Sequence, residues 1–314
     1  MQAEDIAGII PAVIVPMKSD YSIDFNAYRR YLRWIVSLGP VGVAVNVDTG
    51  EGPYLTSDER AEVIRVTREA VGKHIKVIAG CGGPSTAFAT ANAKVAKAAG
   101  ADALLVFPTP AFLNDPLDPR IPYEYHKAIA DASDLPILLF QLGTVFGGVN
   151  YTPEALRAMM KLPQVVGIKD ASFDPTRFCM VRDIVNEQDR KITLLTGNDN
   201  FLLESFLLGA EGGLLGYGAV GAGLLIEQLG AVKQNAFDLA KRQQATVQGY
   251  CDYIYGHPIG DYRARCKVAL VHMGLLDPDQ TFVRPPYRSL WDDEKDRAKD
   301  VVEKFGLTNV GAAH

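Results

Sequence analysis

Residues 164–172 read Gln164-Val165-Val166-Gly167-Ile168-Lys169-Asp170-Ala171-Ser172. Val165, Val166 and Ile168 favour a pleated, buried strand, and Pro163 stands just ahead of them. The run closes on a lysine. Burying an ammonium is costly, and that cost lowers its pKa toward the range where the amine attacks carbonyl groups. The plainer alternative is a strand-end lysine with its ammonium in solvent or paired with Asp170. Working outward, residues 153–160 predict a short helix capped by Thr152, and residues 175–186 predict the next one.

The same unit recurs along the chain. Strands are predicted at residues 9–15, 41–47, 75–79, 103–107, 137–141, 165–169, 193–196 and 213–216. Helices are predicted between them, among them 24–37 with Asp24 as N-cap, 57–71 with Ser57 as N-cap, and 85–99 ending at Gly100. Eight consecutive strand–helix units with right-handed crossovers close as a (β/α)8 TIM barrel. Residues 222–314 exceed one closing helix and predict a C-terminal helical domain after a barrel of residues 1–221, with helices at 226–251, 262–273 and 294–305. Pro285-Pro286 interrupts it.

Composition narrows the function. The 314 residues are 48% hydrophobic with a net charge of −5, which allows one large core. With no basic run, neither nucleic acid nor an anionic membrane is expected as the partner. No apolar run is long enough to span a membrane, and residues 1–7 carry Glu4 and Asp5 rather than a positive leader. Cys81, Cys179, Cys251 and Cys266 are widely spaced, which suggests neither zinc nor disulfides. A cytoplasmic enzyme is the expectation, with no cofactor and no metal.

In a barrel of this kind the chemistry gathers at the C-terminal ends of the strands. Those ends read Asp48-Thr49-Gly50-Glu51 after strand two, Phe140-Gln141-Leu142 after strand five, Lys169 on strand six and Thr196-Gly197-Asn198-Asp199 after strand seven, with Leu215 closing strand eight. Successive N–H groups at Asp48-Thr49-Gly50 suit a carboxylate. An amine facing such a nest suits imine chemistry on a 2-oxo acid. His74, His126, His257 and His272 are read as lying away from that face.

Together these motifs make the chain similar to the dihydrodipicolinate synthase / N-acetylneuraminate lyase superfamily of Schiff-base lyases. The resemblance runs from Gly8 to about Leu290. It rests on Asp48-Thr49-Gly50-Glu51 with Leu55-Thr56 and Glu59, on Gly167-Ile168-Lys169-Asp170-Ala171-Ser172, on Thr196-Gly197-Asn198-Asp199, and on Lys267-Val268-Ala269-Leu270 with Gly274 and Arg284-Pro285-Pro286. It implies that Lys169 forms an imine with a 2-oxo acid such as pyruvate, that the nest at Asp48-Thr49, with Gly50 beside it, holds the carboxylate, and that the protein is a homotetramer. Phe140, Gln141, Asn198 and Leu215 complete the candidate substrate-binding set.

The departures from the family pattern shape the functional expectation. Asp48 stands where the family has Ser or Thr. Leu139-Phe140-Gln141-Leu142-Gly143 replaces a motif that supplies a proton-relaying tyrosine, Thr109-Pro110 replaces a tyrosine pair, and 144–148 has no arginine for a second substrate. These changes argue against dihydrodipicolinate synthase activity and sialic acid cleavage. An aldolase or dehydratase of a 2-oxo acid, such as a 2-keto-3-deoxy sugar acid, is the leading reading. The alternatives are a synthase-like condensation, or a protein that binds the 2-oxo acid without turnover. Phe146 and the 108–112 loop suggest an apolar pocket, as in a hydratase-aldolase of aromatic compounds. Asp48 is the expected proton carrier, its pKa raised by burial and by the substrate carboxylate; water held by Gln141 or Thr144 is the rival.

Overall fold

The computed structural model describes residues 1–113 and 117–306, so part of the Pro-rich loop (114–116) and the last residues of the predicted helical domain (307–314) lie outside the described residues. Eight strands run β1 (Ile9–Pro11), β2 (Gly42–Val45), β3 (Lys76–Cys81), β4 (Ala103–Val106), β5 (Ile137–Leu142), β6 (Val165–Ala171), β7 (Thr193–Thr196) and β8 (Gly212–Leu215). All neighbours pair in parallel, in the order β1-β8-β7-β6-β5-β4-β3-β2. A parallel bridge from Ala12 to Ala44 brings β1 against β2 and closes the barrel. The regular strand β1 is shorter than the predicted 9–15, although beyond Pro11 the N–H of Ala12 still reaches the Leu215 carbonyl and that of Val13 the Ala44 carbonyl.

The helices α1 (Phe25–Ser37), α2 (Ser57–Val71), α3 (Thr86–Ala99), α4 (Arg120–Ser133), α5 (Pro153–Met160), α6 (Pro175–Asn186), α7 (Leu202–Leu207) and α8 (Gly218–Lys233) each follow a strand. Side-chain caps set most of the starts. Asp24 accepts from the N–H of Asn26 and Ala27, Ser85 from Phe88, and Thr152 from Ala155. At α2 the cap is Thr56, one residue before the predicted Ser57, and Glu59 reaches back to complete a capping box.

The predicted helix 226–251 is two helices. α8 stops at Lys233, Asn235 takes a left-handed φ of 57°, and α9 (Phe237–Ile254) starts anew. The line drawn in the sequence between 221 and 222 falls within α8, at a kink where Gly221 leaves helical geometry. α8 packs on β1 and β8, and α9, α10 (Tyr262–His272) and α11 (Asp292–Lys304) follow it.

Strand side chains alternate between two layers. Ile10, Ala44, Ile78, Leu105, Leu138 and Leu214 fill the barrel interior. Ile9, Val43, Val77, Leu104, Leu139 and Leu215 face the helices and join the larger core. This two-residue period decides which strand-end residues reach the mouth of the barrel.

Candidate active site

β6 carries Lys169 inward and Asp170 outward. In the ladder Lys169 pairs with Phe140 on β5 and with Leu195 on β7. Its Nζ sits 4.3 Å from the centroid of the Phe140 ring. Among the described residues nothing hydrogen-bonds that nitrogen. Burial lowers the Lys169 pKa to about 8, against the opposing pull of Asp199 and Asp48. Gly197 makes the position possible, because a Cβ there would overlap Cε of Lys169.

Asp199 follows β7 beside the lysine. It is 8% exposed, and its Oδ1 is buried without a hydrogen-bond partner among the described residues. Burial raises its pKa to about 7, opposed by Lys169 and by the Tyr255 hydroxyl. Tyr255 lies at the end of α9 and reaches the mouth over Gly216, where a Cβ would overlap its hydroxyl.

The loop after β2 is held from the C-terminal helices. Arg263 on α10 is 2% exposed and stacks between the rings of Tyr262 and Tyr287, at 4.7 and 4.2 Å from their centroids. Its Nη2 meets Asp48 Oδ2 at 2.5 Å and its Nε donates to the Asp48 carbonyl at 2.8 Å. The Tyr262 hydroxyl donates to the same carboxylate at 2.8 Å. Asp48, the expected proton carrier, is paired with a guanidinium that the strand ends alone did not bring into view. Three residues on, Glu51 takes a left-handed φ of 57° and buries its carboxylate. Lys267 Nζ meets it at 2.5 Å and the N–H of Arg284 donates to it at 2.8 Å.

Thr49 lines the cavity, with its hydroxyl 3.5 Å from that of Tyr262. Gly50 stands behind it, where a Cβ would meet the Val13 carbonyl at 2.7 Å. The backbone N–H groups of Thr49 and Gly50 have no partner among the described residues. Phe140 lines the cavity, whereas Gln141 points the other way. Gln141 donates to Asp170 at 2.6 Å and accepts from the N–H of Tyr151 at 3.1 Å, which turns its side chain away from the cavity. Asn198 is also turned away from the cavity. Its amide donates to the Asp170 carbonyl and carboxylate, and its oxygen accepts from the N–H of Phe173. Leu215 belongs to the layer between strands and helices. His257, read as lying away from the mouth, lines it.

The cavity over these groups has a volume of about 900 Å³. One wall is apolar, formed by Phe107, Phe140, Leu142, Phe146 and Phe173. Phe107 meets Phe140 edge-on at 4.9 Å, and Phe146 meets Phe173 at 4.6 Å. The polar part of the lining comes largely from beyond the barrel: Tyr255, Tyr262, Arg263 and Tyr287. No group of three His, Cys, Asp or Glu among the described residues is placed to hold a metal ion.

The Dihydrodipicolinate synthetase family matches the chain over residues 5–305. The chain belongs to the dihydrodipicolinate synthetase family. A family member from Azoarcus sp., a 4-hydroxy-tetrahydrodipicolinate synthase, is 31% identical over 307 residues, covering 96% of this chain and 99% of that one. The enzyme of the same name from Gluconacetobacter diazotrophicus is 34% identical over 212 residues, 68% of this chain and 69% of the relative. Among solved family structures, the chloride-inhibited dihydrodipicolinate synthase from Acinetobacter baumannii complexed with pyruvate is 27% identical, with a TM-score of 0.83 over 96% of this chain and 99% of that one.

Family motifs drew attention to the strand ends and away from the C-terminal helices. Asp199 was on view as the last residue of Thr196-Gly197-Asn198-Asp199, and strand alternation beyond Thr196 does not decide between it and Asn198. Tyr255, Tyr262 and Arg263 carried no comparable signal beyond an aromatic-rich run flanking a Gly and a Pro.

Proposed function

We propose that this protein is a lyase of the lysine-imine type that acts on a 2-oxo acid through Lys169. One observation carries the reading: an amine with no hydrogen-bonding partner among the described residues, brought down to about 8 by burial, at the floor of a 900 Å³ cavity. Such an amine is both available and nucleophilic near neutral pH. Family membership supports the lyase class. The pyruvate in the Acinetobacter baumannii structure supports the kind of ligand.

The substrate carboxylate is placed on the unpartnered N–H groups of Thr49 and Gly50 and on the Thr49 hydroxyl, near the guanidinium of Arg263. Its carbonyl carbon then meets Nζ of Lys169, and its tail lies toward the mouth. The nitrogen forms a bond to that carbon, water leaves, and the resulting iminium draws electrons from the neighbouring C–C or C–H bond. Cleavage of the C–C bond is the aldolase outcome; loss of a proton from C3 and of hydroxide from C4 is the dehydratase outcome. Phe140 or Gln141 stands where the family resemblance puts a tyrosine on β5, and neither relays a proton, so another group must carry it.

Borohydride reduction in the presence of pyruvate tests the reading. The expected result is one reduced adduct, on Lys169. An adduct on another lysine, or none, overturns it.

A further inference from the structure

We infer that Asp199 and Tyr255 form the proton-transfer pair for chemistry at Lys169, with Asp199 as the catalytic acid and base and Tyr255 as its positioning residue. The inference rests on the imine reading above and supplies the group that reading lacks. Three observations carry it. Asp199 is more than nine-tenths buried, lines the same cavity as Lys169, and keeps Oδ1 unpartnered among the described residues. Among the described residues Asp199 and Lys169 form no ion pair, and both line the cavity that a substrate would enter. The other carboxylate beside the lysine, Asp48, is already held by Arg263 and Tyr262.

The steps balance as follows. The neutral Lys169 amine adds to C2 of the 2-oxo acid. The N–C2 bond forms, the carbonyl π pair goes to oxygen, and the surplus proton on nitrogen moves to that oxygen, giving a carbinolamine. Neutral Asp199 then gives its proton to the C2 hydroxyl. The C2–O bond breaks, water leaves, and the nitrogen lone pair closes an iminium beside an Asp199 carboxylate. That carboxylate next takes a proton from C3. The C–H pair becomes the C2–C3 double bond, the iminium π pair returns to nitrogen, and an enamine stands beside neutral Asp199. In aldol cleavage the proton comes from the C4 hydroxyl instead, and the C3–C4 pair makes the same enamine.

A group that gives and takes protons in one cycle works best when both forms are accessible near the working pH. The groups facing Asp199 are Lys169 on β6, Tyr217 after β8, Tyr255 and Cys251 on the α9 side, and Cys266 on α10. Burial favours the neutral carboxyl, whereas Lys169 and the Tyr255 hydroxyl favour the anion.

Pyruvate in D2O provides the test, since enamine formation exchanges its C3 protons for deuterium without a second substrate. Wild-type protein is expected both to exchange C3 and to yield the borohydride adduct. Asp199→Asn is expected to keep the adduct on long incubation while exchange slows by roughly 10²–10⁴-fold. Tyr255→Phe removes a hydroxyl that shares the cavity with Asp199 and favours its anion, so the limb of the exchange profile set by Asp199 should move to higher pH. Wild-type exchange rates in Asp199→Asn overturn the inference while leaving the imine intact. Absence of the adduct in the wild type removes the imine reading and this one with it. Should Asp199→Asn fail to fold, Tyr255→Phe decides: an unmoved profile overturns the pair.

Discussion

Lys169 and Phe140 face each other across β5 and β6, paired residue for residue, with the ammonium nitrogen 4.3 Å from the ring centroid. An aromatic face offers a cation modest attraction and accepts no conventional hydrogen bond. Burial therefore acts on the lysine with no hydrogen bond to oppose it, and despite the pull of Asp199 and Asp48 its pKa is brought down to about 8. The neutral amine is the nucleophile, so trapping with pyruvate should speed up as pH rises and level off above about 8. A rate that keeps climbing toward pH 10.5 would count against a depressed lysine. Lys169→Arg should give no adduct at any pH.

Gly197 leaves room for the lysine stem, and a Cβ there would also meet Ala171 Cβ at 2.9 Å. Gly197→Ala should displace Nζ while preserving the fold, and misplacement of about 1 Å is enough to slow such a reaction roughly 10²-fold. Adduct formation in stopped time courses measures it. An unchanged rate would place the reacting nitrogen elsewhere.

Thr49→Val removes one hydroxyl from the proposed carboxylate site. Loss of one charge-assisted hydrogen bond weakens pyruvate binding by about 1.5–3 kcal/mol. Saturation of the trapping rate against pyruvate concentration gives that constant. No change would move the carboxylate to another part of the cavity.

The apolar wall makes a prediction about the tail. Phe146 is 37% exposed and leans on Phe173 beside the lysine floor. Covering such a ring with an apolar tail contributes on the order of 1–2 kcal/mol. Phe146→Ala should therefore weaken competition by 2-oxo-4-phenylbutanoate against pyruvate trapping and leave pyruvate itself nearly unaffected. Equal losses for both ligands would mean the wall does not meet the tail.

Much of this architecture can be read from the residues alone. Asp24, Ser85 and Thr152 announce their helices because a short oxygen beside a free N–H is a local matter. Lys169 is visible for a similar reason, since a lysine ending an apolar strand is conspicuous. Strand phase is less local. Phe140 and Gln141 are neighbours, but one faces the cavity and the other Asp170, and only the ladder with β6 settles which. Leu215 and Asn198 were read onto the wrong side for the same reason. Arg263 and Tyr255 were out of reach because they arrive through tertiary packing of helices whose order in space the barrel pattern does not fix.

The buried pair of Glu51 and Lys267 calls for a test of its own. Replacing Lys267 with Met leaves a buried carboxylate without its cation, which should lower the free energy of unfolding by about 3–5 kcal/mol. Chemical denaturation followed by tryptophan fluorescence and by far-UV circular dichroism checks this. A loss below about 1 kcal/mol would mean the pair is redundant with the Arg284 N–H that also reaches Glu51.

That pair also bears on how the molecule comes together during synthesis. The loop that carries Asp48 and Thr49 leaves the ribosome more than two hundred residues before the lysine that neutralises it. Until α10 emerges, the Glu51 carboxylate has no reason to leave water, and the loop has no anchor on that side. All eight strands are by then available to pair. The scaffold can therefore precede the finished mouth, and a chain halted between Leu215 and Lys267 would have all eight strands but a β2 loop without its buried anchor.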